Sequence, residues 1–461
     1  MIVLPQKKAV CGHIVVNAAT CGKSCINLLD WLYWKSLYHA SHVVTVHVAT
    51  VIEPGANTVL TRGKVLLKRV VKISLHCAIA TAACVFAVAL NAAPIIIPAA
   101  PQLAAKSYLL VDADTGKVLV EHNSEQQLPP ASLTKMMTSY IVSEEIAAGR
   151  LQEDDLVTIS EDAWRRGGSA SGSSTMFLEP KTKVKVIDLM RGVIIQSGND
   201  ASIALAQHIA GSEELFADIM NQQAALLGMT HTHFVNATGW PAEGHVTTAQ
   251  DLAILARAVI YDHPQHYQLY SEKYFSYNGF NQGNRNRLLF SDPSVDGIKT
   301  GHTEEAKYCL VSSALRDDMR LIAVVIGTSS EDARERESQK LLAYGFRYYQ
   351  TYKLYTPEDS ISSVRVWGGL ENELGLGVAD DVHLTIPRGA QDNIQAHMNI
   401  DEVIKAPIKA GQELGNIVVE LDGEQLLDIP LVAKQAVEQA GFFARLWDNI
   451  KLFFVNLFGL V

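Results

Sequence analysis

The sequence predicts an α+β protein. A body of alternating helix and strand patterns comes first, then a small β-rich domain, then an amphipathic helix at the C-terminal end. Three observations predict this. Apolar residues recur at helical spacing in several stretches between residues 133 and 350. Short apolar runs bounded by turn residues separate those stretches and read as strands. From about residue 355 the texture changes to short strands punctuated by Gly and Pro, and the last 25 residues are crowded with Phe, Leu and Trp. A chain of 461 residues has room for two or three domains with cores of their own.

Taken in order, the chain opens with 66 residues that lack clear periodicity. Lys68, Arg69 and Lys72 then precede an apolar run, Ile73 to Leu90, closed by Asn91-Ala92-Ala93-Pro94. A basic flank, an apolar stretch and small residues at a break read as a secretory signal peptide over 67–93. At about 18 residues the run is also long enough to stay as an uncleaved anchor. The small residues favour cleavage near Ala92 or Ala93. A signal peptide belongs at the start of a chain, and no methionine lies between Met1 and Met136. Initiation at a non-Met codon near Val65 or Leu66 would make 1–66 an untranslated leader; a genuine extension is the alternative.

The body is expected over 94–353. Ser107–Asp112 and Lys117–Glu121 alternate around Asp114-Thr115-Gly116, which reads as a hairpin. Helices are expected at about 133–148, 199–210, 212–227, 248–260 and 331–350. Cys309–Leu315 and Leu321–Ile326 read as sheet strands. Residues 354–436 form the β-rich domain, with Val382–Gly389 a representative strand and turn. In the final segment, 437–461, Phe442, Phe443, Leu446, Trp447, Ile450, Phe453, Phe454, Leu457 and Phe458 fall on one broad helical face. Arg445, Asp448, Asn449 and Asn456 fall opposite. The stretch is too short and polar to span a bilayer, so it should lie in the membrane interface.

Charge and cysteine are unevenly spread. Residues 1–93 hold nine Lys/Arg against two Asp/Glu, a balance of +7; residues 94–461 hold 30 against 47, a balance of −17. An acidic body argues against nucleic-acid binding, which needs basic surface to displace counterions. Five of the six cysteines precede residue 93 and only Cys309 follows, so the body is not a disulfide scaffold. Attraction of the tail to a membrane must then come from apolar area.

Ser132-Leu133-Thr134-Lys135 opens the first strong helical stretch. Serine and lysine three apart on a helix share a face, so the amine can reach the hydroxyl. A serine hydroxyl becomes a nucleophile when a neighbouring base takes its proton. Lysine is that base when burial or another cation lowers its pKa. The pattern alone is weak, since about one or two such matches arise by chance in a chain this long. Two further triplets strengthen it. Ser197-Gly198-Asn199 lies 65 residues on, at the entrance to a helix, and Lys299-Thr300-Gly301 lies 102 residues later, leading towards the Cys309–Leu315 strand. Ser276-Tyr277-Asn278 also matches the middle triplet. It stands only 21 residues before Lys299, in a Tyr/Asn-rich loop, and is rejected.

With its flanks, Pro130-Ala131 before Ser132, Gln196 to Ala201 and Val295 to Thr303, this trio resembles the low-molecular-mass penicillin-binding proteins of the D-alanyl-D-alanine carboxypeptidase family. The resemblance covers about 103–461. It implies a DD-peptidase/β-lactamase-like domain, an antiparallel sheet with a helical subdomain. It implies a serine-type carboxypeptidase that removes the terminal D-alanine of peptidoglycan pentapeptides and is acylated by β-lactams. By the same resemblance Ser132 attacks, Lys135 takes its proton, Ser197 relays a proton to the leaving amine, and Asn199 holds Lys135 and the substrate amide. Lys299 lowers the Lys135 pKa and attracts the terminal carboxylate. Thr300, within the Lys299-Thr300-Gly301 triplet, bonds that carboxylate, and Arg285 helps orient it. Backbone N–H groups of Ser132 and His302 form the oxyanion hole. No metal or cofactor is required.

Within the superfamily, a class A β-lactamase would carry a Glu-x-x-Leu-Asn loop, which Glu213-Glu214-Leu215-Phe216 does not match. A large transpeptidase would need a further N-terminal domain, and the shorter endopeptidases generally lack the β-rich domain and the tail. DD-endopeptidase, weak β-lactamase and catalytically silent scaffold are the alternatives carried forward. The resemblance puts the protein at the periplasmic face of the inner membrane, held by its tail, with peptidoglycan stem peptides as substrate. The Gly167–Ser174 loop, small and flexible by composition, is expected near the site and to tune activity. Gly22-Lys23-Ser24 lacks the upstream glycine of a phosphate loop. Cys11, His13, Cys21 and Cys25 have spacing too irregular for zinc. His231 and His233 read as packing or surface residues.

Overall fold

The structure is a computed structural model and describes residues 96–457. The expected leader over 1–66 and signal peptide over 67–93, the weak cysteine and phosphate-loop motifs, and Phe458 lie outside the described residues. Strands β1 (Ser107–Asp112) and β2 (Val118–His122) form the expected antiparallel hairpin, with Leu110 opposite Val120. The short pairs β3 (Leu156–Thr158) with β4 (Lys183–Lys185), and β5 (Tyr274–Tyr277) with β6 (Phe280–Gly283), are small ribbons apart from the main sheet. Strands β7 (Val295–Thr303), β8 (Lys307–Arg316) and β9 (Met319–Thr328) complete an antiparallel sheet in the order β2-β1-β9-β8-β7. Cys309–Leu315 and Leu321–Ile326 are the apolar centres of β8 and β9, which run further at both ends because polar residues continue the ladder.

The helices begin where side chains can cap them. Ser212 accepts the Leu215 N–H ahead of Glu213–Leu227, Thr248 accepts that of Asp251 ahead of Ala249–Tyr261, and Ser330 accepts that of Ala333 ahead of Glu331–Tyr348. The helix Lys135–Ala147 is different. It is buried on nearly every side, Met136, Met137, Tyr140, Ile141 and Val142 among apolar neighbours, and so has no amphipathic stripe. Its polar residues stay inside because they are paired: Thr138 Oγ1 donates to the Ala237 carbonyl and Ser139 Oγ to that of Lys135. Two helices not anticipated, Glu161–Gly167 and Val186–Ile194, complete the helical part around it.

The expected helix 331–350 ends at Tyr348. Tyr349 turns extended and starts β10 (Tyr349–Tyr355), whose aromatic and β-branched residues suit a strand. Beyond it lie β11 (Ser362–Trp367), β12 (Glu373–Gly377), β13 (Val382–Pro387), β14 (Ile394–Ile400), β15 (Ile404–Lys405), β16 (Glu413–Leu421) and β17 (Glu424–Ala433). β10 pairs with β13, and the other six form a mostly antiparallel sheet with its own core of Val366, Leu374, Leu376, Ile386, Ile417 and Leu431. The final helix, Phe442–Leu457, follows. Among the described residues no helix is long and apolar enough to cross a membrane.

Asp112, fully buried at the end of β1, ties the two parts together. Its carboxylate accepts hydrogen bonds from Thr351 Oγ1 at 2.6 Å and Thr385 Oγ1 at 2.8 Å in the β10–β13 ribbon, and from the Asp114 and Thr115 N–H groups of its own turn. Replacing Asp112 by alanine strands those donors in a dry seam. The variant should lose about 2–4 kcal/mol of stability, read as a lower denaturant midpoint; an unchanged midpoint would show that the seam is wet.

Candidate active site

Ser132 sits on a short 3-10 turn, Ala131–Thr134, that runs into the helix beginning at Lys135. The serine is thus half a turn earlier and more tightly wound than a regular helix would place it. The outcome for the pair is the same: Lys135 Nζ lies 3.2 Å from Ser132 Oγ. The amine also donates to Asn199 Oδ1 at 2.7 Å and to the Thr238 carbonyl at 2.5 Å. Asn199 opens the helix Asn199–Ala210, and Ser197, with φ +59°, turns its hydroxyl into the same space. Lys299 Nζ donates to Ser197 Oγ at 2.9 Å and to the Thr300 carbonyl at 3.3 Å.

Lys299, Thr300, Gly301 and His302 stand on β7, an edge of the main sheet. This strand was not foreseen, because Gly, Asp, Lys and Thr mask its alternation; only the ladder to β8, with Lys299 opposite Val311 and Gly301 opposite Cys309, defines it. Gly301 allows the close approach of this edge to the serine turn, since a Cβ there would lie 3.1 Å from the Pro130 carbonyl oxygen and 3.3 Å from Ala131 Cβ. His302 is exposed and stacks on Tyr308 with ring centres 4.1 Å apart. Arg285 is exposed at the rim and its Nε donates to the Gln196 carbonyl at 3.2 Å, beside Ser197. Contacts therefore join eight of the nine residues singled out in the sequence, directly or through a chain neighbour, and His302 follows Gly301 on the same strand. The rejected triplet lies elsewhere: Ser276 Oγ bonds Asn281, and Asn278 Nδ2 donates to the Phe177 carbonyl.

Burial controls the two amines. Lys135 is lowered from the ordinary lysine value to about 7, first by desolvation and also by Arg285, while Asp200 and Glu213 pull it upward. Lys299 is held well below the ordinary value by desolvation, then by Lys135 and Arg285. Burial is the main cause of both shifts.

Several contributors carried no sequence signal. The Thr238 carbonyl belongs to a loop shaped by Asn236, whose Oδ1 accepts the N–H groups of Thr238, Gly239 and Trp240 at 2.7–3.2 Å. Gly239 has φ +86°, and a Cβ there would lie 1.8 Å from the Ala131 carbonyl oxygen, so the loop presses directly on the serine turn. His245 is buried beneath. Its Nδ1 accepts the Val235 N–H, which leaves the proton on Nε2 to donate to Thr134 Oγ1 at 2.8 Å. Burial first, then His233 and Lys135, lower its pKa to about 4, so the ring stays neutral. Asn-x-x-Gly is the one local clue to the loop, as a turn pattern. His231 and His233, as expected, are exposed.

Residues 95–330 match the family described as D-alanyl-D-alanine carboxypeptidase, and residues 349–439 match the C-terminal domain of penicillin-binding protein 5. The chain is similar to the D-alanyl-D-alanine carboxypeptidase DacC of Escherichia coli, 45% identical over 363 residues that cover 78% of this chain and 91% of that one. It is 42% identical to DacA of Haemophilus influenzae over 361 residues, 78% of this chain and 91% of the relative. The solved structure of penicillin-binding protein 5 from Haemophilus influenzae superposes with a TM-score of 0.70 at 41% identity, covering 74% of this chain and all of that one.

Because Gly239 has both a left-handed backbone and no room for a Cβ, alanine there should push the serine turn away from Lys135. Labelling of Ser132 by a serine-directed acylating probe should fall at least tenfold in a folded G239A protein, and equal labelling rates would count against the close contact.

Proposed function

The chain belongs to the D-alanyl-D-alanine carboxypeptidase family, the penicillin-binding proteins of low molecular mass, and on that premise we propose that Ser132 removes the terminal D-alanine of peptidoglycan stem pentapeptides through an acyl-enzyme. The observation that carries this is a buried lysine with a pKa near 7, placed 3.2 Å from a serine hydroxyl.

Ser132 Oγ attacks the carbonyl carbon of the penultimate D-alanine and its proton passes to Lys135 Nζ. The oxygen that gains charge takes hydrogen bonds from the backbone N–H groups of Ser132 and His302. The C–N bond then breaks, and the proton taken up by Lys135 passes by way of Ser197, which Lys299 holds in place, to the leaving amine, so that Lys135 is neutral again. Asn199 keeps Lys135 in position and meets the substrate amide. The terminal carboxylate enters between Lys299, Thr300 and Arg285. Its negative charge supplies the counter-ion that a buried Lys299 lacks and favours the ammonium form there. Water then attacks the ester as Lys135 takes its proton; the bond to Ser132 Oγ breaks, that proton returns to Oγ, and the shortened peptide leaves as a carboxylate.

A β-lactam presents the same carboxylate and an acylating carbonyl, and so acylates Ser132. Its ester should persist. Glu213 cannot act as a separate base for water, since one oxygen pairs with Arg166 at 2.8 Å and the other accepts the Ala237 N–H at 3.1 Å.

The protein acts, in this reading, at the periplasmic face of the inner membrane. The final helix supports it. Asp448 and Leu452 face the β-rich domain, with Asp448 Oδ2 accepting the Gly368 N–H at 3.1 Å. Phe442, Phe443, Leu446, Trp447, Ile450, Phe453, Phe454 and Leu457 are turned outwards at 41–83% exposure. Burying them in lipid is worth at most roughly 1.5–3 kcal/mol each. The β-rich domain would then be a stalk that sets the height of Ser132 above the bilayer.

Three outcomes follow. Free D-alanine should be released from a pentapeptide ending in D-Ala-D-Ala, and not by S132A; a wild-type protein that binds penicillin but releases none refutes the carboxypeptidase reading. Acylation by penicillin should fall as pH drops through about 7, because Lys135 then gains a proton and ceases to be a base. Removing 437–461 should shift the protein from membrane to soluble periplasm on fractionation, and retention on the membrane after signal cleavage would sink the anchor.

A further inference from the structure

Two carboxylates near the active lysine take no part in the steps above, although both are buried. Asp200 is fully enclosed and Glu213 is 5% exposed. A buried carboxylate survives only where hydrogen bonds replace its water, and here those bonds come from chain segments that serve the site. Asp200 Oδ2 accepts from Thr175 Oγ1 at 2.6 Å and from the Leu178 N–H at 3.1 Å, and Oδ1 from the Met176 N–H at 2.8 Å and the Ala201 N–H at 2.9 Å. Just upstream, the Ser174 carbonyl accepts the Asn199 N–H at 2.9 Å. The segment 174–178 is thereby clasped against the first turn of the helix that presents Asn199. Glu213 Oε1 accepts the Ala237 N–H, immediately before Thr238, while Arg166 holds Oε2 and lies over the Trp240 ring at 5.9 Å.

We propose that Asp200 and Glu213 are positioning residues for the Ser132 reaction, each seating the backbone that presents one of the two fixed acceptors of the Lys135 amine. Asp200 acts through Asn199 and its helix; Glu213 acts through the loop that carries the Thr238 carbonyl. The inference rests on the reading of Lys135 as the base. Their charges have a second effect at the same atom. The ionisable groups acting on Lys135 are Asp200 and Glu213 from the two helices, Arg285 from the rim, Lys299 from β7 and the neutral His245 beneath. Only the two carboxylates favour the ammonium. They keep the amine from becoming so weak a base that it no longer draws the serine proton.

The sign of the test follows. Neutralising a carboxylate makes the ammonium less stable, so Lys135 loses its proton at lower pH. In D200N and E213Q the acidic limb of the pH profile for penicillin acylation should move down by roughly half a unit to one unit, with a lower plateau rate. Thr175→Val keeps both charges and removes two bonds of the clasp, the one to Asp200 and the one that Thr175 Oγ1 accepts from the Phe177 N–H at 3.0 Å; its limb should stay in place while its plateau falls several-fold. A folded D200N or E213Q whose limb does not move, or a T175V protein with a wild-type plateau, overturns the inference. If D200N does not fold, E213Q and T175V decide alone, because Glu213 leans on a half-exposed Arg166 and Thr175→Val conserves volume. A wild-type profile with no acidic limb near 7 would refute the base role of Lys135 itself, a separate result.

Discussion

Burying an amine is among the costlier things a fold can do unless hydrogen bonds replace its water, and Lys135 is a buried amine. It is 1% exposed and stands at the head of a helix buried on nearly all sides. It persists there because three acceptors converge on it from separate parts of the chain: the serine turn, the helix of Asn199 and the loop of Thr238. Each acceptor must be held by its own neighbours, and much of the helical part of the protein does this. The Asn236 side chain shapes the Thr238 loop, Gly239 lets it touch the serine turn, and His245 supports Thr134 from beneath. The low pKa of the amine is the chemical return of that burial.

The sheet imposes the second constraint. β7 is an edge strand, so its outer side faces the helical part across the cleft, and Gly301 allows it to approach the residues before Ser132. Lys299 is thereby brought within 2.9 Å of Ser197, 102 residues earlier in the chain. Two buried amines so close cannot both be charged cheaply. A carboxylate brought beside them would relieve that conflict.

The β-rich domain is tied to the body through Asp112 and the β10–β13 ribbon, and the final helix is tied to the β-rich domain through Asp448. The same device, a carboxylate buried by donors from another segment, therefore recurs at both joints and beside Lys135. On the tail it has a particular effect. The one acidic residue of the helix is drawn into the seam, where Arg365 and Lys451 also approach it at 3.9 Å and 3.4 Å, and the aromatic side is left outward. The body carries −17, and this outward side of the final helix is apolar instead of charged.

What the sequence determined by itself is the chemistry and most of the local structure. Ser132-x-x-Lys135, Ser197-x-Asn199 and Lys299-Thr300-Gly301 name the side chains that the fold brings together, because a nucleophile, its base and a carboxylate site would need those chemical groups in any fold. Helix starts at Ser212 and Thr248 and the apolar cores of β8 and β9 were legible because capping and periodicity are local. What only the tertiary structure decided is the set of partners. The Thr238 carbonyl is a backbone group and has no residue signature. β7 has only Val295 and Ile298 as large apolar residues and is defined as a strand by its ladder to β8. His245, Asp200 and Glu213 look like surface residues until distant segments close over them. Periodicity records which side of an element is buried; it does not record what is buried against it, and the basicity of Lys135 depends on that alone.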